Sequence, residues 1–382
     1  MLKTLNSRIR PYSTLQVSGD KVQRIISQIP IPKPQNAISS KEIVPSRTIL
    51  EKAFSQARSQ KKLCISSTNF LALVDQYIEA TQEPESASEK LAQWHQNVLE
   101  QFDNNLEDIA LVSKLLDTIS RNKVMSLALY KVAADKGSHE GAFRLAKKLL
   151  EEGKRESDAF SIITYLANNS HPDSMIYKAQ AYMVSKQYHI RAHGIELLKQ
   201  AAESSPQASF MLGEAYRKTS VIGQDMEEAK RWHVRAAKGG VPASYFVLGN
   251  LLSKGLGTKD KKPDLPGALK MFELGAAAGH AESQYNAGMC YLLGTGTTKN
   301  VDMAVDYLVL AAAQKFPVAL LNLGKLFLEG AEVQRRVRRG RNYLNIAKEC
   351  TKGVGDGFIG QQADMVLEKY AHLKDERECV IL

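Results

Sequence analysis

Cysteine is scarce: 382 residues contain only Cys64, Cys290, Cys350 and Cys379, with no CxxC and no repeated pairing. That excludes a disulfide framework and a sulfur-ligated zinc site, and fits a reducing compartment. Long hydrophobic runs are missing too, since no uninterrupted apolar stretch reaches the ~18 residues of a membrane-crossing helix. The longest candidate, around Val301 to Leu323, is broken by Asp306, Gln314 and Lys315. No acidic residue precedes Asp20, and no secretory apolar core opens the chain, which argues against a secretory leader. Catalytic signatures are absent as well. There is no HExxH, no nucleophile elbow and no paired-carboxylate motif. The glycines of GLGT at Gly255–Thr258 and GTGT at Gly294–Thr297 follow predicted helices, lack the Gly-Lys-Ser/Thr ending of a phosphate loop, and read as helix stops. His189 and His193 stand at helical spacing, but no third ligand of clear spacing accompanies them, so they read as a solvated or satisfied pair. His233, following Trp232, reads as packing and surface. The expectation is a protein that is not an enzyme, with no cofactor and no metal.

What the chain has is a period. The blocks AADKGSHEGAFRLA, LANNSHPDSMIYKA, QAAESSPQASFMLG, AAKGGVPASYFVLG, GAAAGHAESQYNAG and AAAQKFPVALLNLG end at Ala146, Ala179, Gly213, Gly249, Gly288 and Gly324, spaced 33, 34, 36, 39 and 36 apart. A repeat of that length is one helical hairpin. Small residues recur where two helices must approach closely, and apolar residues three and four apart mark the faces between them. Asp225, Asp264 and Asn300 each stand four residues before an alanine, where they are placed to cap the second helix of a hairpin. Glu228, three after Asp225, would complete a capping box.

LGEAYRK at Leu212–Lys218, GQDMEEAKRWHVRAAKGG at Gly223–Gly240 and GHAESQYNAGMCYLLGTGT at Gly279–Thr297 resemble Sel-one-like repeats, relatives of the tetratricopeptide repeat. The resemblance is full over about Gln200 to Gly330 and weaker upstream, where Ala146 and Ala179 replace the usual glycine. It implies an all-α fold, a right-handed α-solenoid of Sel-one-like or tetratricopeptide-like hairpins, that binds protein without catalysis. Intermembrane-space members of the family carry paired cysteines through their hairpins, a pattern this chain lacks.

The two ends send opposed signals. MLKTLNSRIRPYST carries Lys3, Arg8 and Arg10 among hydroxyl residues, with Leu2, Leu5 and Ile9 on one helical face. This is the composition of a mitochondrial transit peptide, with cleavage after Tyr12. At the other end Cys379-Val380-Ile381-Leu382 has the form of a prenylation box, a feature that fungal activators of chitin synthase combine with similar repeats. The preceding Lys374-Asp375-Glu376-Arg377-Glu378 is not polybasic, and one lipid anchors only marginally without a second signal.

Residues 1–12 thus read as a transit peptide and 13–47 as an extended linker marked by Pro30, Pro32 and Pro34. Residues 48–121 read as an amino-terminal cap of amphipathic helices near 48–61, 68–81, 88–102 and 106–119. The repeats run over 122–355, and a capping helix at about 360–373 lies within 356–382.

Two surfaces are candidates for binding. Alignment on the LG position places Gln180, Glu214, Asn250, Asn286, Asn322 and Lys325 on the inner groove, where amides can bond an extended client backbone. The loops inside each hairpin gather Lys254, Lys259, Lys261, Lys262 and Lys299, followed by Arg335, Arg336, Arg338, Arg339 and Arg341. The formal net charge is +10, and loss of Met1–Tyr12 removes three cations to leave +7. Such a basic edge suits acidic protein, anionic inner-membrane lipid or, less well, RNA phosphate.

By analogy with mitochondrial members of the Sel-one-like and tetratricopeptide classes, the expected role is a matrix-side scaffold assembling a respiratory-chain complex, cytochrome c oxidase first. Two alternatives stand beside it. One is a prenylated cytosolic adaptor of a membrane synthase such as chitin synthase. The other is a mitochondrial RNA- or ribosome-associated factor.

Overall fold

The computed structural model describes residues 17–32, 47–59, 65–82, 86–119, 123–153, 155–218, 223–256, 260–352 and 357–374, and all regular structure among them is α-helical. The transit-peptide segment, Cys64, Lys259 and the Cys379 box lie outside the described residues. The helices are α1 Gly19–Ser27, α2 Arg47–Ser59, α3 Ser67–Gln82, α4 Ala87–Gln101, α5 Leu106–Ile119, α6 Val124–Asp135, α7 His139–Glu151, α8 Glu156–Asn168, α9 Pro172–Met183 and α10 Tyr188–Ala201. They continue as α11 Pro206–Lys218, α12 Met226–Lys238, α13 Pro242–Ser253, α14 Leu265–Ala277, α15 Ala281–Leu293, α16 Val301–Ala313, α17 Pro317–Glu329, α18 Val337–Thr351 and α19 Phe358–Lys369. Successive helices pack on one another as stacked hairpins, the all-α solenoid architecture expected. The chain divides into two compact units after Leu197, inside α10, and not at residue 121.

In the first unit, α3 to α6 close over a core of their own. Trp94 is buried against Tyr77 at 5.0 Å between ring centroids, and its indole N–H donates to the Leu73 carbonyl at 2.9 Å. The segment read as an extended linker contains a docked helix. Ser18 caps α1 by accepting from the Lys21 N–H at 3.3 Å. Val22, Ile25, Ile26 and Ile29 then recur at helical spacing and bury into the core formed with α7 and α8. Gln23 donates to the Asp135 carbonyl at 2.6 Å and Arg155 to the Gln28 carbonyl at 3.0 Å. Pro30 and Pro32, two of the prolines that suggested a linker, follow the end of this helix at Ser27 and do not enter it.

In the second unit the hairpins α11/α12, α13/α14, α15/α16 and α17/α18 repeat one packing device. The glycine of each first helix receives a side chain from its second helix: Gly213 takes His233, Gly249 Phe272, Gly288 Leu308 and Gly324 Leu344. A Cβ at these glycines would lie 2.9, 2.4, 3.0 and 2.5 Å from those side chains, closer than carbon atoms ordinarily approach. The caps fall where the sequence placed them. Asp225 accepts from the N–H groups of Glu227 and Glu228 at 2.9 and 3.0 Å, Asp264 from Gly267 at 2.8 Å, and Asn300 from Met303 at 3.1 Å. The capping box does not close. Glu228 accepts instead from Arg231 one turn on, at 2.5 Å, while the Asp225 N–H donates to the Tyr216 carbonyl. Gly294 ends α15 with φ of 70° and Gly330 ends α17 with φ of 65°, a left-handed stop that glycine adopts without steric cost. The last helix runs Phe358–Lys369 and covers Leu321, Leu328, Val337 and Leu344 with the buried Ala363 and the partly buried Ile359, Val366 and Leu367.

Candidate functional site

Short connections and glycine-mediated contacts set the first helices α11, α13, α15 and α17 in a row, with α13 touching α15 directly. This row carries most of the predicted groove residues. The structure separates them by what their polar groups already do. The Asn286 side-chain amide donates to the Glu282 carbonyl at 2.7 Å, so it serves its own helix. Asn322 donates to the Tyr285 hydroxyl at 3.1 Å and approaches the Met289 sulfur at 3.6 Å, tying α17 to α15. Gln180 is exposed, but in the first unit. Those three were expected to read a client's backbone; Asn286 bonds within its own helix and Asn322 bridges two helices. Among the described residues, Asn250 and Lys325 have no side-chain hydrogen bond or ion pair.

Asn250 lines a pocket of about 180 Å³ at the seam between α11 and α13. Its polar lining is Arg217 from the last turn of α11, Gln224 from the following loop, and Asn250 and Lys254 one turn apart on α13. Its apolar lining comes from Met226, Phe246, Val247, Leu251 and Leu256. Glu214 stands behind Arg217 and fixes it. The guanidinium donates through Nε to Oε1 at 2.9 Å and through Nη2 to Oε2 at 2.8 Å, a two-pronged geometry that sets the plane of the group. Lys218 pairs with the same carboxylate. Burial by itself raises the pKa of Glu214, but His233, Arg217 and Lys218 together outweigh it and hold the carboxyl well below the usual range, so it stays ionised. Gln224 donates to the Arg217 carbonyl at 2.9 Å, which pins the loop over the seam. The sequence placed Glu214 and Asn250 on the groove and Lys254 on the basic edge, and did not single out Arg217 or Gln224. The i, i+3 spacing of Glu214 and Arg217 was the available signal for one of them.

A larger hollow of about 310 Å³ between α3 and α4 of the first unit is lined by Asn69, Gln76, Asn97, Glu100 and Gln101. Its amides are already joined to one another, Asn69 to Gln101 at 3.0 Å and Asn97 to Gln76 at 3.2 Å.

The predicted basic edge is partly assembled. Gly296 lies against the Leu265 backbone, and Lys299 pairs with Glu332 at 2.7 Å, so the loops of consecutive hairpins adjoin as expected. Lys254, Lys261, Lys262, Lys299, Arg335, Arg336, Arg338 and Arg339 are exposed there, but so are Asp260, Asp264, Asp302, Glu329 and Glu332, and the edge is mixed in charge. Arg335 turns back to the Glu329 carbonyl at 3.0 Å. Arg341 leaves the edge altogether, donating to the carbonyls of Ala371 and Leu373 at 3.2 and 2.7 Å beyond the end of α19. Exposed carbonyls at a helix end attract a guanidinium more strongly than solvent does.

Among the described residues no group of three or more His, Cys, Asp or Glu side chains is placed to hold a metal. His193 packs on Tyr182 at 5.5 Å between ring centroids. Cys290 and Cys350 are free and half-buried, and burial, then Glu273, pushes the Cys290 thiol pKa up, away from reactive thiolate. No helix among the described residues is long and apolar enough to cross a membrane.

Five segments, residues 114–138, 206–241, 242–280, 281–316 and 317–350, match the Sel1 repeat. Over these segments the chain is similar to the Sel1 repeat. The last four are contiguous and coincide with the four hairpins of the second unit, whereas the first covers the end of α5 and α6. Protein SHC1 of Saccharomyces cerevisiae is 35% identical over 85 residues, 22% of this chain and 16% of that protein. The chitin synthase regulator SKT5 of the same species is 30% identical over 166 residues, 39% of this chain and 23% of SKT5. Chitin synthase regulatory factor 3 of Schizosaccharomyces pombe is 28% identical over 149 residues, 36% of this chain and 16% of that factor. The similarity thus spans less than a quarter of each of these relatives. Among solved structures, c5321, a protective antigen of uropathogenic Escherichia coli with an SLR fold, superposes with a TM-score of 0.52 at 19% identity, covering 78% of this chain and 68% of that one. That likeness is one of fold.

Proposed function

We propose that the chain is a non-catalytic scaffold that holds a segment of a client polypeptide along the first-helix row of its Sel1 repeats. The observation that carries this is the seam between α11 and α13, where a pocket of about 180 Å³ presents amide and cationic donors beside apolar walls. Donors left unpaired at a partly desolvated surface gain more from an incoming ligand than donors in open water. A photo-crosslinking residue placed at Asn250 or Lys325 is expected to capture the client, and one at the exposed Lys270 on the opposite helix α14 is not. Equal capture from both faces, or from neither, would remove the reading.

The setting proposed is mitochondrial, on the matrix face of the inner membrane, with the client a subunit of a respiratory-chain complex and cytochrome c oxidase the first to test. The support is the acid-free, Arg- and Ser-bearing segment MLKTLNSRIRPYST. A second reading is favoured by the names of SKT5 and regulatory factor 3 together with Cys379: a prenylated regulator of a membrane synthase such as chitin synthase. One spectrum separates the two. Intact mass of the protein from cells that begins near Ser13 and keeps an unmodified Leu382 supports the mitochondrial setting. A chain that keeps its amino terminus, lacks Val380–Leu382 and carries an isoprenoid makes the synthase regulator the reading to pursue.

A further inference from the structure

We propose that the seam pocket between α11 and α13 is a carboxylate-binding site that selects an acidic group of the client. This rests on the client-capture reading and adds a chemistry to it. None of the residues lining the pocket is acidic, and its four polar groups, Arg217, Gln224, Asn250 and Lys254, all carry N–H donors. Three of them are available. Among the described residues the Asn250 amide and the Lys254 ammonium have no partner, and Arg217 uses Nε and Nη2 on Glu214, with no partner there for Nη1. Glu214 does not cancel the field of the site, because Lys218 pairs with it as well, leaving two cations and one anion behind the pocket and Lys254 in front. Phe246, Val247 and Leu251 form apolar walls, which limit competition from water and strengthen a charge-assisted bond.

Room and uniqueness point the same way. A volume of about 180 Å³ corresponds to roughly half a dozen waters at about 30 Å³ each, enough for one side chain and no more. The arrangement belongs to this seam alone among its neighbours. At the positions equivalent to Asn250 and Lys254, counted from the repeat glycine, the next hairpin has Met289 and Leu293 and the last has Lys325 and Glu329. Met289 is moreover contacted by Asn322. A client would therefore meet one pocket of N–H donors at this seam, an apolar position at the next hairpin, and a cation with an acidic residue one turn on at the last.

The shared chemistry is a carboxylate, supplied by an Asp or Glu side chain or by a free chain terminus. The test uses the full-length protein and a synthetic library of random decapeptides made in two forms, with a free carboxyl terminus and with a carboxyl-terminal amide. The expected result is selection of peptides with an acidic group at one fixed position. An acidic side chain appearing in both forms assigns the side-chain source, and selection confined to the free-carboxyl form assigns the terminal source. In Lys254→Glu, whose parent side chain is exposed and unpaired, binding of a selected peptide should fall at least ~10-fold, as for loss of one charge-assisted pairing. The same loss should follow from replacing the peptide's acid by its amide, with no further loss when the two changes are combined, while Lys270→Glu on the opposite helix α14 leaves binding near its original level. Peptides selected without acidic preference, or an acidic preference that survives Lys254→Glu, would overturn the pocket and leave client capture standing. Failure of the unaltered protein to select any peptide would remove both.

Discussion

His233 occupies the position that the next three hairpins fill with Phe272, Leu308 and Leu344, each packed on the glycine of its first helix. It is fully buried, its ring stands edge-on to Phe210 at 5.3 Å between centroids, and neither ring nitrogen has a hydrogen-bond partner. Glu214 Oε1 lies 3.5 Å from Nε2, too far for a good hydrogen bond. A buried polar group left without a partner costs about 1–3 kcal/mol. His233→Leu installs the residue of the two later hairpins and removes that cost, and Glu214 keeps Arg217 and Lys218. The expected outcome is a gain of about 1–2 kcal/mol, read as a rise in thermal midpoint of roughly 2–8 °C. A loss of stability in the same melt would mean that the imidazole gains more from Glu214 than its burial costs. From the sequence, His233 reads as packing and surface. The packing half holds, and burial became visible only with the glycine opposite it in place.

At the level of the helical hairpin, the repeat glycines carry a graded steric prediction. A Cβ on Gly249 would lie 2.4 Å from Cε1 of Phe272, a ring already held by Phe246, Ala268, Leu269 and Ala287. On Gly288 it would lie 3.0 Å from the branched end of Leu308. Ala gains about 1 kcal/mol of helix propensity over Gly, whereas overpacking costs about 1–3 kcal/mol. Gly249→Ala should therefore destabilise by about 1–2 kcal/mol in denaturant unfolding, with Gly288→Ala close to neutral. Phe272→Leu in the Gly249→Ala background should recover most of the loss. Equal effects at both glycines would show that the second helices are free to shift. These positions were legible because the device is periodic and local to one hairpin, and so were the caps Asp225, Asp264 and Asn300, each bonded within three residues. Helix α1 was not, because three prolines outweighed the Val22, Ile25, Ile26 and Ile29 spacing that builds it. The binding face was legible only as a face. Spacing placed Asn250, Asn286 and Asn322 on first helices, but which amides remain unpaired depends on residues 30 to 40 positions away, such as Tyr285 against Asn322.

On the scale of the whole second unit, hairpins stack in a line, so each depends on its neighbours and the ends are exposed unless covered. Helix α19 does the covering. Ala363 is fully buried against the face formed by Leu321, Leu328, Val337 and Leu344, and Arg341 secures the far end by donating to the carbonyls of Ala371 and Leu373. Ala363→Asp would place a charge without a partner in that interface, a burden of several kcal/mol that is relieved most simply by release of α19. In a linear stack the damage should decay with distance. Backbone hydrogen exchange is expected to accelerate most in α17 and α18, less in α15 and α16, and little in α11 and α12, while light scattering reports association through the uncovered leucines. Uniform acceleration over all four hairpins would show instead that the unit unfolds as a single cooperative body. The seam pocket between α11 and α13 would then depend on the cap that lies beyond two further hairpins, and a client held there would be released by any event that lifts α19.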